Sequence, residues 1–378
     1  MLKEKSERKP GILVINWQDW TNPLSGGAEV HFYEIFKRLV DDFNIFLLCT
    51  HFKGAKSIEE LEGIKIYRVG SRNTFNFWVP RAYKRIRKRE RIDLVIEDLN
   101  KIPFYGKIFV SENRIAILHH LFGKKIYTET NPIFASYVFF AERLIPKFYD
   151  DIPIIAISES SKEVLVKMGI PEKNIEIVYN GIDLNRYFPQ KKKTEEPTIV
   201  CLNRMKRYKR IDILLEAIPE VLRKISKLKV FIVGEGDDLP RLKKLAFKKR
   251  IEKVVNFTGF VPEGEKISLL SGSWVSVNTS PIEGWGLTSI EAQACGTLSV
   301  VPDSPGLRET VKDGFSGYIY RCEDAQALSE ILVKLLKDKK FILKMGKQAR
   351  EWASKYSWDN SKERMKKIIE ANIKNNSR

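Results

Sequence analysis

Short, continuously apolar runs alternate with amphipathic stretches along most of the chain. No other feature restricts the fold as strongly. GILVINW, FNIFLLC, IKIYRVG, DLVIED and RIAILHH read as buried strands in the first half, and IPIIAIS and IEIVYNG follow them. Between them lie segments such as AEVHFYEIFKRLV, 28–40, whose apolar residues recur at helical spacing. A strand that is apolar on both faces needs cover on both, which helices alternating with parallel strands supply. FPQKKKTEEPT, 188–198, has two prolines, a charge block and no apolar periodicity, and reads as a linker. A second series then runs TIVCLNR, RIDILLEAIPEVLRKI, LKVFIVGEG, VVNFTGFV, WVSVNTS and TLSVVPD. The expected class is α/β, with two doubly wound domains in series and a ligand crevice at each set of strand ends. The first domain is expected over 1–187 and the second over 188–356.

A length of 378 residues suits two such domains, and a hydrophobic content of 43% can fill their cores. No apolar run approaches the ~20 residues that span a bilayer. The opening MLKEKSERKPGILVIN lacks the apolar core and small-residue cleavage site of a signal peptide, so a cytoplasmic location is expected. Cys49, Cys201, Cys295 and Cys322 are scattered, without zinc spacing, and are expected to stay reduced. The formal net charge of +18 favours anionic partners: nucleotides, nucleic acid or an acidic membrane surface.

Four stretches carry candidate chemistry. In SPIEGWGLTSIEAQACG, 280–296, a strand ends near Ser280 and helix formers begin at Leu287, so PIEGWG is the turn between them. Gly284 and Gly286 let backbone N–H groups approach a ligand, and the helix entrance adds unpaired donors and a positive dipole end. Glu291, one turn into the helix, can accept from vicinal hydroxyls, and Glu283 can meet a second polyol. That spacing fits phosphates in the middle and sugars at both ends. Acidic residues favoured by the helix dipole would look the same. In LNRMKRYKRID, Arg204 and Lys209 can neutralise a diphosphate leaving group, or belong to a solvated charge run with Lys206, Arg207 and Arg210. In TNPLSGGAEVH, Gly26 and Gly27 open a helix after the first strand, a second anion-type turn, but no G-x-G-x-x-G follows. In AILHHLFGKK, His119 and His120 end a strand where a parallel sheet faces its crevice. With four histidines, no clustered acidic partners and no D-x-D, neither a metal nor any other cofactor is expected.

Together these stretches resemble the retaining, nucleotide-sugar-dependent glycosyltransferases of family four, which have the GT-B fold with an interdomain cleft. SPIEGWGLTSIEAQACG matches the E-x7-E motif, with Trp285 where phenylalanine is usual. NRMKRYKRID matches the arginine–lysine segment, SGGAE the N-terminal glycine loop, and VYNGID the asparagine–glycine near the linker. SPGLRETVKDGFSGYIY and YSWDNS match the segments that follow. The resemblance implies that Glu291 binds ribose hydroxyls. Arg204 and Lys209 would hold the diphosphate with backbone N–H groups of Trp285, Gly286 and Leu287. Glu283 would contact the transferred sugar, Gly27 the diphosphate and His119 the reacting sugar. His119 is preferred over His120 because the family's histidine comes first after the strand. It also implies that 357–378 is a helix crossing back to the first domain, and that cations rather than a metal stabilise the departing nucleotide.

The donor is expected to be a UDP- or GDP-sugar and the acceptor a glycan or a polyprenyl-phosphate-linked glycan. NTFNFWVPRAYKRIRKRER sets Phe75, Phe77 and Trp78 before a run of cations, so 75–91 can meet an acidic membrane surface. A solvated helix with Tyr83 and Ile86 packed inward is the alternative. The other functions that fit the chain are a GT-B epimerase, a glycan phosphorylase and a non-catalytic nucleotide-sugar binder. Nucleic-acid binding rests on charge alone and is not expected.

Overall fold

Eight strands form one sheet and six form another in the computed structural model, which describes residues 8–100, 102–128 and 130–374. The chain divides into two units: Met1–Asn180 with Trp358–Arg378, and Gly181–Ser357.

In the first unit the strands are β1 Gly11–Ile15, β2 Asn44–Thr50, β3 Ile58–Leu61, β4 Ile64–Val69, β5 Leu94–Leu99, β6 Asn113–Leu118, β7 Ile154–Ala156 and β8 Ile175–Ile177. Their order is β3-β4-β2-β1-β5-β6-β7-β8. Neighbours from β4 to β8 are parallel, as two-sided apolar strands require. The edge departs from the all-parallel expectation, because β3 pairs antiparallel with β4. Glu62 and Gly63, at φ of 51° and 78°, join them in a two-residue turn with both centres in the left-handed region, the geometry that suits the twist of a hairpin. β3 is IEEL, whose charge hid it in the sequence.

The helix Phe75–Arg87 buries Phe75, Val79, Ala82, Tyr83 and Ile86. Phe75 therefore corrects the membrane expectation: it is fully buried, with its ring 5.6 Å from both Trp17 and Phe104. Phe77 is 75% exposed, and Trp78 is exposed as well. The helix Trp358–Lys374 belongs to this unit, burying Met365 and Ile369. Its Lys366 ammonium lies 2.6 Å from Asp42, and Ser361 donates to the Tyr179 carbonyl at 2.6 Å.

The second unit holds β9 Thr198–Leu202, β10 Lys229–Val233, β11 Val255–Gly259, β12 Val275–Val277, β13 Leu298–Pro302 and β14 Gly317–Tyr320. Their order is β11-β10-β9-β12-β13-β14, parallel throughout. Its core gathers Ile199, Cys201, Val230 and Ile232 of the sheet with Leu214, Ile218 and Val221 of the helix Ile211–Lys224. The polar 188–198 run is bonded into this unit. Thr194 N donates to the Gly272 carbonyl at 3.0 Å, and Trp274 Nε1 donates to the Thr194 carbonyl at 2.9 Å.

Candidate active site

In the second unit the chain leaves β9 toward β10 on one side, and β12 leads to β13 on the other. The C-terminal ends of β9 and β12 thus frame a topological switch point, where open α/β sheets bind ligands. The loops after these strands carry the candidate residues. Asn203 follows β9 and Asn278 follows β12, and the Asn203 amide lies 3.3 Å from Asn278 Oδ1.

Arg204 sits on a clamped backbone. Asn203 N donates to the Val233 carbonyl at 3.1 Å and Met205 N to the Glu235 carbonyl at 2.7 Å. A Cβ at Gly234 would stand 2.1 Å from the Asn203 carbonyl oxygen, and one at Gly236 2.0 Å from that of Met205. Only glycine allows so close an approach. The Arg204 side chain itself is exposed, with its guanidinium 3.4 Å from the Tyr208 hydroxyl.

Lys209 is buried, and its ammonium is bonded to the Glu283 carboxylate. Its carbonyl accepts from Thr279 Oγ1 at 2.8 Å, which ties the β9 loop to the β12 loop a third time. The two cations expected to act alike therefore differ: Arg204 is solvated, whereas Lys209 already holds a candidate acid. Of their neighbours, Lys206 pairs with Asp237 at 2.7 Å, and Arg210 is bonded to Asp212 and Glu323.

Gly306, at φ of 76°, lies beneath the PIEGWG turn; a Cβ there would meet the Glu283 carbonyl oxygen at 2.3 Å and that of Gly284 at 2.8 Å. Gly286 caps the helix Leu287–Ala294. The Trp285 ring is buried and stands edge-on to Tyr356 at 5.1 Å, so it contributes packing and leaves its backbone at the turn.

Glu291 lies inside that helix with its side chain 14% exposed. Its Oε1 accepts from the Tyr187 hydroxyl at 2.9 Å and the Lys266 ammonium at 3.1 Å. Its Oε2 is buried and has no hydrogen-bond partner among the described residues. Lys266 also donates to the Tyr187 oxygen at 2.6 Å, and Glu263 stands within hydrogen-bond reach of the same Tyr187 hydroxyl and pairs with Lys266 at 3.1 Å. Burial alone would lower the Lys266 pKa, but Glu291 and Glu263 outweigh it and hold the ammonium above its ordinary value. Burial, then the same two carboxylates, pushes the Tyr187 phenol far up.

In the first unit Gly26 caps the helix Gly27–Phe36. Its N–H donates to Glu29 Oε2 at 2.7 Å, so the chain's own carboxylate occupies part of this anion-type turn. His119 is buried just after β6, and its Nε2 lies 3.1 Å from the Asp98 carboxylate. The ring of His31 stands edge-on to that of His119 at 5.0 Å. His31 is fully buried, and neither ring nitrogen has a hydrogen-bond partner among the described residues. Burial, then His119, keeps the His31 pKa well below its ordinary value, so this ring is neutral. Ligand atoms of His31, Asp98 and His119 lie within 4.8 Å of one another, two imidazoles and a carboxylate that sequence reading had not grouped. His120 turns elsewhere, its ring 4.8 Å from that of Phe122.

Residues 185–352 match the family described as Glycosyl transferases group 1, and residues 25–186 match Glycosyltransferase Family 4. The chain belongs to these group 1, family 4 glycosyltransferases. Membership implies a nucleotide-sugar donor and retention of configuration at the transferred sugar. An uncharacterized glycosyltransferase of Methanocaldococcus jannaschii is 24% identical over 95% of this chain and 98% of its own length. The GDP-mannose-dependent alpha-(1-6)-phosphatidylinositol monomannoside mannosyltransferase of Mycobacterium tuberculosis is 28% identical over 50% of this chain. That match spans 54% of the mycobacterial enzyme, about half its length. Among solved structures, HepE of Anabaena in complex with UDP and glucose aligns over 96% of this chain and all of its own, with a TM-score of 0.76 and 19% identity. The glycosyltransferase thus has the two parallel-sheet α/β domains of the GT-B fold.

Sequence reading missed Gly234, Gly236 and Gly306, which shape the loops, and Tyr187, Glu263 and Lys266, which surround Glu291. The glycines left a signal in VGEG and SPGL, directly after strands; the other three left none.

Proposed function

We propose that this glycosyltransferase moves a hexosyl group from a UDP- or GDP-sugar to a glycan or polyprenyl-phosphate-linked acceptor without a metal ion. The observation that carries the reading is the buried Oε2 of Glu291. A carboxylate oxygen left without a donor in a buried site is costly, and a ribose hydroxyl supplies that donor. Lys209 and Arg204 neutralise the diphosphate as charge develops on it, helped by the backbone of Gly284, Trp285, Gly286 and Leu287 at the helix entrance. Glu283, released as Lys209 turns to phosphate, accepts from the sugar. Gly26 and Gly27 are assigned to the diphosphate and His119 to the reacting sugar. Retention then proceeds by departure and attack on one face, with the leaving phosphate taking the acceptor proton. Both donor bases have precedents among the similar proteins, one named for GDP-mannose and one solved with UDP.

Thermal unfolding with UDP, GDP and their sugar conjugates tests the reading. A ligand at a hundred times its dissociation constant adds about 2.7 kcal/mol of stability. The expected result is a shift with one base that shrinks in Glu291→Ala, and activity that survives EDTA. No shift with any nucleotide sinks the assignment.

The acceptor side favours an acidic membrane surface. No helix among the described residues is long and apolar enough to cross a bilayer. Arg81, Arg85 and Arg89 line a cavity of about 250 Å³ with Trp78 and Ile58. Asn76, beside exposed Phe77, donates to the Tyr137 hydroxyl at 2.9 Å, which links this helix to a second one, Pro132–Arg143. That helix buries Ala135, Val138 and Ala141 yet leaves Ile133 85% and Phe140 61% exposed, with Phe134 and Tyr137 also exposed. An exposed apolar helix face, linked to a helix that carries Arg81, Arg85 and Arg89, suits the interface of an anionic bilayer. Flotation with phosphatidylglycerol-containing vesicles should show binding that Ile133→Asp with Phe140→Asp removes. Absence of binding by the unaltered chain would overturn it.

A further inference from the structure

Three side chains around Glu291 have no assigned task. Tyr187 precedes β9, while Glu263 and Lys266 lie on the helix Glu263–Gly272. They are brought together at Glu291, whose carboxylate has one oxygen with donors and one without among the described residues.

Oε1 of Glu291 takes two donors, the Tyr187 hydroxyl at 2.9 Å and the Lys266 ammonium at 3.1 Å. Two bonds from two directions fix the carboxylate plane and leave Oε2 as the oxygen without a donor among the described residues. Lys266 is itself held, 2.6 Å from the Tyr187 oxygen and 3.1 Å from Glu263. Tyr187 has a single phenolic proton, and the clamp is the arrangement in which it goes to Glu291 Oε1 while the Lys266 ammonium holds Glu263. Lys266, with three donors, supplies the remaining bonds. A carboxylate on a free side chain would lose rotamer entropy on gripping a ribose; one already fixed loses less.

We propose that Tyr187 and Lys266 are positioning residues for Glu291. They clamp Oε1, so that Oε2 is presented in one orientation to a ribose hydroxyl, and the clamp sets the preference of the enzyme for ribonucleotides over deoxyribonucleotides. The proposal rests on the reading of Glu291 as the ribose-binding residue.

Isothermal titration of the full chain with UDP, GDP and their 2′-deoxy and 3′-deoxy forms tests both levels separately. In the unaltered enzyme, loss of the hydroxyl that Oε2 accepts should cost about tenfold or more, the worth of one hydrogen bond to a charged group. Tyr187→Phe, which keeps the ring, should bring the ribo-to-deoxy ratio toward one by weakening the ribonucleotide alone. Lys266→Met should do the same, and Lys266→Arg should restore part of it. On a Glu291→Ala background, Tyr187→Phe should change nothing further. Equal weakening of both nucleotide forms would show that Tyr187 and Lys266 only hold the fold, and would overturn the clamp. A ratio left intact by Tyr187→Phe and Lys266→Met but abolished by Glu291→Ala would overturn the clamp alone. A ratio left intact by Glu291→Ala, or no binding by the unaltered chain, would overturn the ribose reading and the clamp with it.

Discussion

The Lys209 ammonium is bonded to the Glu283 carboxylate, although 74 residues separate them in the chain. The pair joins the loop after β9 to the loop after β12 and keeps each charge neutralised until a charged ligand competes for it. In the proposed reading a diphosphate would offer Lys209 more negative charge than one carboxylate does, and the sugar hydroxyls would offer Glu283 donors in exchange. Lys209→Met should therefore lower kcat/KM on the order of 10²–10³-fold, the range for loss of one preorganised group facing developing charge. Glu283→Gln should fall similarly. The double variant should lose far less than the product of the two, because the residues act as a unit. Steady-state rates on all three variants check this, and multiplicative losses would show two independent roles.

Gly236 makes a structural demand that Arg204 depends on. A Cβ would stand 2.0 Å from the Met205 carbonyl oxygen, and backbone cannot swing away as a side chain can. Gly236→Ala should displace the 203–205 loop, at about 1–3 kcal/mol as for other overpacked positions. Since Arg204 is exposed, Arg204→Ala should leave stability within about 0.5 kcal/mol while weakening diphosphate binding. Melting curves with and without nucleotide separate the two effects.

His119 and Asp98 form a buried pair in the first unit, 3.1 Å apart. The carboxylate fixes which face of the imidazole is turned inward, and His31 alongside stays neutral because burial disfavours its charge. If His119 works at the reacting sugar, Asp98→Asn should cost less than His119→Ala, since the amide oxygen can still accept from Nε2. About 10–100-fold in kcat, with donor KM little changed, is expected for Asp98→Asn. A change confined to KM would place the pair in binding rather than in the chemical step.

Much of this fold is readable from apolar runs, because strands covered on both faces are uniformly apolar and stand out from helical spacing. β3 is not readable, as IEEL is short and charged and pairs at an edge, with Glu59 turned to the buried Arg68 guanidinium at 2.8 Å. The acids of 283 and 291 can be read as a site because one strand–turn–helix carries both. The Glu291 clamp cannot, since Tyr187 and Lys266 are 79 residues apart and meet only through folding of the second unit. Phe75 shows the reverse error. Its sequence neighbours Phe77 and Trp78 are exposed, and only helical phase sends Phe75 into the core.

Lys193 makes the stability of the second unit depend on pH. It is buried, with its ammonium 2.9 Å from the Ser271 carbonyl and bonded to Thr297. Burial lowers its pKa from 10.5 to about 7. An unfolded chain keeps the proton up to its ordinary pKa, whereas the folded chain sheds it near neutrality. Between those values the unfolded state binds more protons, so stability rises with pH across the window from about 7 to 10.5. Below it the full cost of the buried charge remains, on the order of 3–5 kcal/mol at about 1.4 kcal/mol per pKa unit. Lys193→Met removes the titrating group. Urea unfolding at pH 7, 8 and 9, followed on the transition of the second unit, should show a rise in the unaltered chain that is absent in the variant. The variant should also be at least as stable at pH 7. An equal rise in both would assign the pH dependence to other groups.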